Sequence, residues 1–359
     1  MTSEARIYRL AVDGMGGDNA PSAVVEGVCK ACEAGDLNIL LTGDQEILEA
    51  ELTAFPKVRE FIEIVHTPQA IPMDASPKDI FDKYPDSSMI KAAEIVAAGQ
   101  ADALISAGNT GALILASAQS IPRIKGVHRT GLAAVYPTRN ELNRKDIFSL
   151  MLDIGANITV DRDHMIHFAL MGNSYAQKVT GIERPLVGLL NMGSENNKGG
   201  PKYVEVHRIL ESLPLINFYG NIEGSDLMKG IVDVVVTEGF KGNIAVKTME
   251  GVAEAAMGLG KLAFQKKLIW RLGMIMLSGG IRKVKKISDY QEYGGAPILG
   301  LEKLVLKCHG RSTPRAIENA IKLAVKCVRD DLVGNMKVSI NAFEREYTRP
   351  DYDQTGYES

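Results

Sequence analysis

The segment RLAVDGMGGDNA, residues Arg9–Ala20, joins a short apolar run to a loop of small and polar residues. The run from Arg9 to Val12 is apolar at consecutive positions, which favours a β-strand covered on both faces. Asp13, the Gly16-Gly17 pair and Asp18 follow where such a strand would end. A strand followed by a polar loop and then a helix is the repeating unit of an α/β fold.

The same pattern recurs through most of the chain. Six further strand-like runs alternate with helix-like stretches: Ile39–Thr42, Ile62–Val65, Ala103–Ile105, Ser149–Leu152, Val187–Leu190 and Val232–Val236. We therefore predict a three-layer α/β/α fold with a mostly parallel sheet. Because no internal repeat or linker is evident, we expect residues 1–345 to form one catalytic unit with interleaved lobes and residues 346–359 to form a polar tail.

Composition narrows the class of protein. A chain of 359 residues with 45% apolar content can bury a large core, and its net charge of -3 gives no reason to expect a nucleic-acid partner. The N-terminus does not have the pattern of a signal peptide, and no apolar run approaches the roughly 20 residues of a membrane span. We expect a cytoplasmic protein. Its four cysteines, with a single CxxC pair and no partner motif, favour reduced structural thiols and no metal site.

Polar loops follow five of the predicted strands. They contain Asp13 to Asp18, Ser106 to Gly111, Asp153 to Asn157, Asn191 to Glu195, and Thr237 to Asn243. Ligands bind at the carboxyl ends of strands in open α/β sheets, so we expect these loops to converge on one edge as a polar cleft. The second loop could bind a phosphate or a carboxylate through its backbone N–H groups, or could be only a tight turn.

Several side chains in and near these loops suit the binding of an anion. Asn157, Asn191 and Asn243 offer neutral amide donors for a phosphate or an oxyanion, although each could be a turn residue. Lys198, Lys247 and His309 could add charge or protons, or could be solvated, salt-bridged or satisfied by the backbone. Asp13 and Asp18 could bind a metal or a ligand or cap a helix, and capping is the role we expect for Asp18. The absence of GxSxG argues against a covalent acyl-enzyme.

One segment is strongly basic in this acidic protein. Residues 255–288 contain eight lysines and arginines and no acidic residue. We predict a protruding helical arm over about residues 250–290. Its apolar stretch is suited to lie in a membrane interface, through Leu268, Ile269, Trp270, Leu272 and Met274. Packing against a dimer mate and docking of an acidic partner protein are the alternatives.

The loops together resemble a known family. The segments are VDGMGGDNAP at Val12, ISAGNTGAL at Ile105, LDIGAN at Leu152, GLLNMGSENNKG at Gly188, VVTEGFKGNIAVKTMEG at Val235, YGGAPILGL at Tyr293, and HG at His309. In this order and spacing they resemble the PlsX family of phosphate acyltransferases, from about Ile7 to Leu332. Two features depart from the family pattern: Gly14 stands where alanine is common, and the run from Phe81 to Tyr84 is less basic than usual.

The resemblance implies a fold, a reaction and partners. It implies an isopropylmalate-dehydrogenase-like fold and a homodimer in peripheral contact with the inner face of the cell membrane. The implied reaction transfers a fatty acyl group from acyl carrier protein to inorganic phosphate without a cofactor. The acyl-phosphate product would then pass to a glycerol-3-phosphate acyltransferase. Because phosphate is already largely a dianion at neutral pH and a thiol has a pKa near 8.5, positioning and oxyanion donors matter more than a strong base.

The resemblance also assigns residues. We expect phosphate to bind the loop of Gly108 and Asn109 together with Lys198, and the oxyanion to contact Asn243 and Asn157. The full set of expected catalytic residues is Asn157, Asn243, Lys247 and His309. The expected substrate-binding residues are Asp13, Gly16, Gly17, Asp18, Ser106, Gly108, Asn109, Thr110, Asp153, Asn191, Glu195, Lys198, Glu238, Phe240, Gly294 and Gly295.

Three other functions remain open at this level. The first is a phosphotransacetylase-like enzyme that uses coenzyme A thioesters. The second is a decarboxylating dehydrogenase that uses NAD and Mg²⁺ held by Asp153 or Asp18, which would need an arginine cluster and a tyrosine-lysine pair that we cannot place. The third is a non-catalytic membrane scaffold, which would not need the polar loops.

Overall fold

The computed structural model describes residues 6–266, 268–280 and 294–347. In this part of the chain the strands form one sheet of eleven. They are β1 Tyr8–Asp13, β2 Leu37–Gly43, β3 Ile62–His66, β4 Ala103–Ser106, β5 Gly131–Pro137, β6 Phe148–Leu152, β7 Leu186–Leu190, β8 Asn217–Ile222, β9 Val234–Val236, β10 Ala296–Leu299 and β11 Leu304–Lys307. All seven predicted strand runs are confirmed, although the last begins at Val234 rather than at Val232.

Helices connect these strands. They are α1 Ser22–Cys32, α2 Gln45–Leu52, α3 Ile80–Lys83, α4 Ser88–Ala97, α5 Thr110–Ser120, α6 Arg162–Tyr175, α7 Pro201–Ser212, α8 Gly239–Lys266, α9 Leu268–Met276, α10 Pro314–Arg329 and α11 Leu332–Tyr347. The expected helix cap at Asp18 is wrong, because α1 starts after Pro21 and has no side-chain cap.

Helices cover both faces of the sheet, as predicted. Successive residues of β1 belong to different clusters of buried side chains, because neighbouring side chains of a strand point to opposite faces. Leu10 and Val12 pack in a cluster with α1 and α10, whereas Ala11 packs in a cluster with α4 and α5. In α10, Ile317, Ala320, Ile321 and Ala324 are buried at helical spacing.

The direction of the strands divides the sheet into two halves. The order is β3-β2-β1-β4-β11-β10-β5-β6-β9-β7-β8. The first five strands are parallel to one another, and so are the last four. Between them the pairs β11-β10, β10-β5 and β5-β6 are antiparallel. Three reversals make the two parallel halves run in opposite directions.

This reversal corrects one expectation. The loops at Asp13 and Ser106 follow strands of the first half, whereas those at Asp153, Asn191 and Thr237 follow strands of the second half. Since the halves run in opposite directions, the carboxyl ends of their strands lie at opposite edges of the sheet. The five polar loops therefore do not converge on one edge, as the sequence analysis expected.

The predicted protruding arm is present where the structure describes it. Residues 251–259 of α8 are all exposed, as are most described side chains of α9. Ile269 is 72% exposed and Leu272 55% exposed. Among the described helices none is long and apolar enough to cross a membrane. Residues 281–290 of the arm and 348–359 of the predicted tail lie outside the described residues, and Glu346 and Tyr347 belong to α11 rather than to a tail.

Candidate functional site

The carboxyl ends of the strands form two edges of the sheet: the first edge belongs to the half that contains β1 and β4, and the second edge to the half that contains β6 and β9. Asp13 lies at the centre of the first edge. Its carboxylate is buried and accepts hydrogen bonds from the Ser88 hydroxyl at 2.6 Å and the Ser106 hydroxyl at 2.7 Å. The Ser106 oxygen in turn accepts the N–H of Gly108 at 3.0 Å. Burial raises the pKa of Asp13, and the two hydroxyl donors oppose that rise. The carboxylate thus ties the loops after β1 and β4 to the start of α4.

The loops of this edge pack closely against one another. A side chain at Gly16 would place its Cβ 2.9 Å from the backbone nitrogen of Gly108, so only glycine fits there. The N–H of Asp18 donates to the Gly310 carbonyl at 2.8 Å. Gly17 contacts the same loops. These residues join three loops into one junction, and the predicted residues of this edge are brought together.

Asn109 has its side chain fully used within the fold. Its amide nitrogen donates to the carbonyls of Met73 at 2.8 Å and Ala75 at 3.1 Å. Its amide oxygen accepts the N–H of Ala112 at 3.0 Å and so caps α5, whose first residue is Thr110. Any contact of Asn109 with phosphate would therefore come from the backbone and not from the side chain.

Asp153 organises the second edge. Its buried carboxylate accepts five N–H bonds of 2.8–3.0 Å, from the backbone of Leu132, Gly155, Ala156 and Asn157 and from the Asn157 amide. The Asn157 amide nitrogen also donates to the Thr130 carbonyl at 2.7 Å. Both of its N–H groups are thus engaged. The expected donation from Asn157 to an oxyanion is inconsistent with this geometry.

A second charged network lies beside the loop of Asp153. Glu238, two residues after the end of β9, accepts a hydrogen bond from Lys202 at 2.8 Å and forms an ion pair with Lys241 at 2.6 Å. Burial would raise the pKa of Glu238, but the two lysines outweigh it and the net shift is downward. Lys241 also donates to the Tyr203 hydroxyl at 3.0 Å. The expected substrate-binding Glu238 is therefore already paired, and its neighbour Phe240 is exposed.

Helix α8 connects the two edges. It begins against Asp153, since Gly239 and Gly242 lie too close to that residue for any side chain. Eight residues further on, about 12 Å along the axis, Lys247 is near enough for its charge to act on His309 at the end of β11. Asn243 lies between them on α8 and donates to the Ile154 carbonyl at 3.0 Å. Of the predicted catalytic residues, Lys247 thus acts on His309, and Asn243 lies one turn before Lys247 on α8; the region between α8 and the His309 turn is called the cleft below.

His309 is held in a defined state. Burial lowers its pKa, and the charges of Lys247, Lys307 and Arg311 lower it further against the opposing charge of Glu250. The imidazole is therefore neutral at neutral pH. Its Nδ1 accepts the N–H of Arg311 at 3.1 Å, which assigns the proton to Nε2 and makes that atom a donor.

The loop after β7 lies apart from this cleft. Asn191 donates to the Lys198 carbonyl at 3.0 Å, and Lys198 pairs with Glu195 at 3.8 Å, so these three residues bond within their own loop. β7 is six strands from β4, about 29 Å across the sheet, and the two loops lie at opposite edges. Within one chain, Lys198 and the Gly108-Asn109 loop therefore do not share a phosphate, and that pairing was wrong.

Sequence reasoning missed some polar residues of these edges. Ser88 and Lys307 belong to the first edge, and Lys202, Tyr203 and Lys241 to the second. Ser88 opens a helix remote in sequence from any strand end, so no local signal marks it. Lys307 lies two residues before His309 and could have been noticed. Gly294 and Gly295, expected to bind substrate, instead allow close approach to the Asn319 and Lys307 carbonyls.

Comparison with known proteins identifies the family. The family model described as "Fatty acid synthesis protein" matches residues 8–334. A "Phosphate acyltransferase" of Thermoanaerobacterium thermosaccharolyticum is 40% identical over 332 residues, covering 92% of this chain and 96% of that one. The chain belongs to the PlsX family of phosphate acyltransferases. A further phosphate acyltransferase, from Clostridioides difficile, is 38% identical and covers 94% of this chain and 98% of its own.

Solved structures extend the comparison to the fold. A phosphotransacetylase from Streptococcus pyogenes matches with a TM-score of 0.58 at 16% identity, covering 93% of this family member and 94% of that chain. A branched-chain phosphotransacylase from Enterococcus faecalis V583 matches with a TM-score of 0.52 at 15% identity, covering 89% and 99%. At such low identity these likenesses concern the fold alone.

Proposed function

We propose that this chain transfers a fatty acyl group from acyl carrier protein to inorganic phosphate, giving acyl-phosphate. Membership of the phosphate acyltransferase family supports the reaction class. The observation that carries the proposal is that Lys247 of α8 acts electrostatically on His309 of the opposite edge, with Asn243 one turn before Lys247 on the same helix. That cleft combines donors and positive charge with a neutral imidazole, which suits an anionic nucleophile and a thioester.

The chemistry assigns a role to each group. A phosphate oxygen attacks the thioester carbon, and the carbonyl oxygen becomes an oxyanion. The C–S bond then breaks, and the thiol departs as thiolate or takes a proton. Lys247 would orient phosphate. One N–H of the Asn243 amide binds Ile154, and the other has no partner among the described residues, so it would serve the oxyanion. Nε2–H of His309 would donate to the same oxyanion or to the leaving sulfur.

The finer parts of the proposal concern the arm. Its exposed apolar residues Ile269, Trp270 and Leu272 suit contact with a membrane interface, and its basic residues suit anionic headgroups. The exposed face of α8 suits packing against a second copy, giving a homodimer. A glycerol-3-phosphate acyltransferase at the same membrane would consume the acyl-phosphate. Leu268, Met274 and the basic cluster at residues 282–286 take part in this proposal, although their side chains lie outside the described residues.

Trapping the product tests the reaction. The protein is mixed with phosphate and palmitoyl-acyl carrier protein, and acyl-phosphate is captured with hydroxylamine as a hydroxamate. We expect hydroxamate that depends on both phosphate and enzyme. A parallel reaction with palmitoyl-coenzyme A tests the phosphotransacetylase alternative, which would be favoured if the coenzyme A thioester were used more efficiently. No hydroxamate from either donor, with the protein folded, would contradict the proposal.

A further inference from the structure

Lys307 is a buried cation to which the proposed reaction gives no role. It ends β11, and only 7% of the residue is exposed. Its ammonium donates to the carbonyl of Cys308 and, at 3.4 Å, to the carbonyl of Ala107. Ala107 belongs to the loop after β4, and Cys308 to the turn that leads into His309. One ammonium therefore joins two of the three loops that form the first edge.

The countercharges of Lys307 lie in the third loop. Asp13 and Asp18 act electrostatically on Lys307, and Asp13 is itself buried and held by Ser88 and Ser106. A buried cation costs free energy of desolvation that its hydrogen bonds only partly offset, and apolar replacements of buried charged groups are often tolerated. Stability alone thus gives a weak reason for a lysine at this position.

The turn that Lys307 anchors carries His309. Lys307 lies two residues before the imidazole, and its charge acts on it. The other charged groups that face His309 are Lys247 and Glu250 of α8 and Arg311 of the same turn. Two of these groups are long exposed side chains that can move, whereas the buried ammonium of Lys307 is fixed by its carbonyl contacts.

We propose that Lys307 is a positioning residue, which fixes the His309 turn against the loop after β4 and so places the Nε2–H donor of the imidazole. This inference rests on the proposed function for its catalytic consequence, but its effect on His309 can be measured without turnover. The contacts of Lys307 with Ala107 and Cys308 that support it lie within one chain, at the first edge.

The protonation state of Lys307 sets the pH range in which its charge is present. Burial lowers the pKa of Lys307 to about 8, with Cys308, Asp13 and Asp18 opposing the shift. The side chain is therefore a charged ammonium at pH 7, and it loses its proton as the pH rises through about 8. His309 protonates on the acid side. Turnover should accordingly fall on both sides, at low pH through His309 and near pH 8 through Lys307.

Three variants of the full-length protein test the inference. Lys307→Met removes the charge, Lys307→Arg keeps it at all working pH values, and Lys322→Met removes an exposed, salt-bridged lysine of α10 as the matched control. The first readout is the titration of the His309 imidazole by NMR, assigned with His309→Gln. We expect the pKa of His309 to rise by about half a unit or more in Lys307→Met and to stay unchanged in the control.

The second readout is the pH dependence of turnover. We expect kcat at pH 7 to fall about tenfold in Lys307→Met, with KM for phosphate changed less than about twofold, since the residue acts through His309. In Lys307→Arg the alkaline fall near pH 8 should disappear, because a guanidinium does not lose its proton there. That result remains measurable even if Lys307→Met fails to fold.

The outcomes separate this inference from the proposed function. If Lys307→Met leaves both the His309 titration and kcat unchanged, or if Lys307→Arg keeps the alkaline limb, Lys307 is structural and the inference is wrong. If the His309 titration shifts as expected but no variant or wild-type protein makes acyl-phosphate, the positioning of His309 stands and the proposed reaction fails.

Discussion

The asparagines in the loops after the strands differ in how many of their amide N–H groups already make hydrogen bonds within the fold. Asn109 and Asn157 both spend their two N–H groups on backbone carbonyls or on Asp153. Asn243 spends one, on Ile154, and its residue is exposed to the cleft. Residue type and position therefore do not distinguish a catalytic amide from a structural one. The number of hydrogen bonds that each amide already makes indicates whether it could still donate to a substrate.

This difference predicts opposite phenotypes for two alanine variants. We expect Asn243→Ala to lower kcat by more than tenfold with little change in melting temperature, because an oxyanion donor typically contributes roughly 10²–10³ in rate. Asn157→Ala should instead lower the melting temperature, since it leaves the Thr130 carbonyl without this donor and removes one of the five N–H donors to Asp153. Kinetics and thermal unfolding of both, with exposed Asn197→Ala as control, check the prediction. Normal turnover in Asn243→Ala would return that residue to a structural role.

Part of the site was visible in the sequence, and the reason is local. Asp13, Ser106 and Asp153 end strands, so the strand-loop-helix pattern locates them directly. Their partners were not visible, because Ser88 meets Asp13 across 75 residues and Leu132 meets Asp153 across 21. Such contacts depend on strand order, which a single sequence does not specify.

At the scale of elements, the sequence pattern found the strands that are buried and parallel. The seven predicted runs leave out β5, β8, β10 and β11, and the first three of these were missed for different reasons. β5 is rich in alanine, β8 contains Gly220 at an irregularity of its pairing with β7, and β10 has four residues including a proline. β5 and β10 are also the strands that reverse the sheet. Missing them led directly to the wrong expectation that five loops share one edge.

Helix α8 has two parts with different surroundings. Its first turns pack on the loop of Asp153 and carry Asn243 and Lys247, whereas its later turns extend into solvent as the arm. The part to which catalysis is assigned and the exposed part thus belong to the same helix. The two functions proposed for them nevertheless depend on different residues, and so they can be separated by mutation.

The arm offers a test of its own. We expect Ile269→Glu with Leu272→Glu to abolish co-sedimentation with anionic vesicles, because two carboxylates oppose burial in the interface and are repelled by anionic headgroups. Dimerisation and turnover of soluble acyl carrier protein substrate should be largely kept. Val338→Glu, an exposed apolar position on α11, is the matched control. A monomeric or inactive double variant would make the segment a structural or carrier-docking element instead.

At the scale of the whole molecule, the chain passes from one half of the sheet to the other and back. β1 to β4 build the first half, β6 to β9 the second, and β10 and β11 return to the first. A single cluster of buried side chains includes Leu10 and Val12 from the first half and Val187 and Val234 from the second. Helix α11, which follows the return, packs against α6 and carries Glu344, 3.2 Å from His167. On this face of the sheet the two halves share one core, whereas the other face carries two smaller clusters, one mainly in each half.

A shared core predicts that the two halves unfold together. Phe168 of α6 is fully buried in that cluster and packs against Gly131 at the start of β5, so Phe168→Ala should cost about 3–5 kcal/mol. We expect calorimetry to give one transition at a lower temperature, and hydrogen exchange to quicken as much in β1 and β2 as in β6 and β9, since both open through the same global unfolding. Ile7→Ala, an exposed apolar position, should change neither measurement. Two resolved transitions, or exchange that quickens only in the second half, would mean that the reversal of the sheet marks a boundary between two domains.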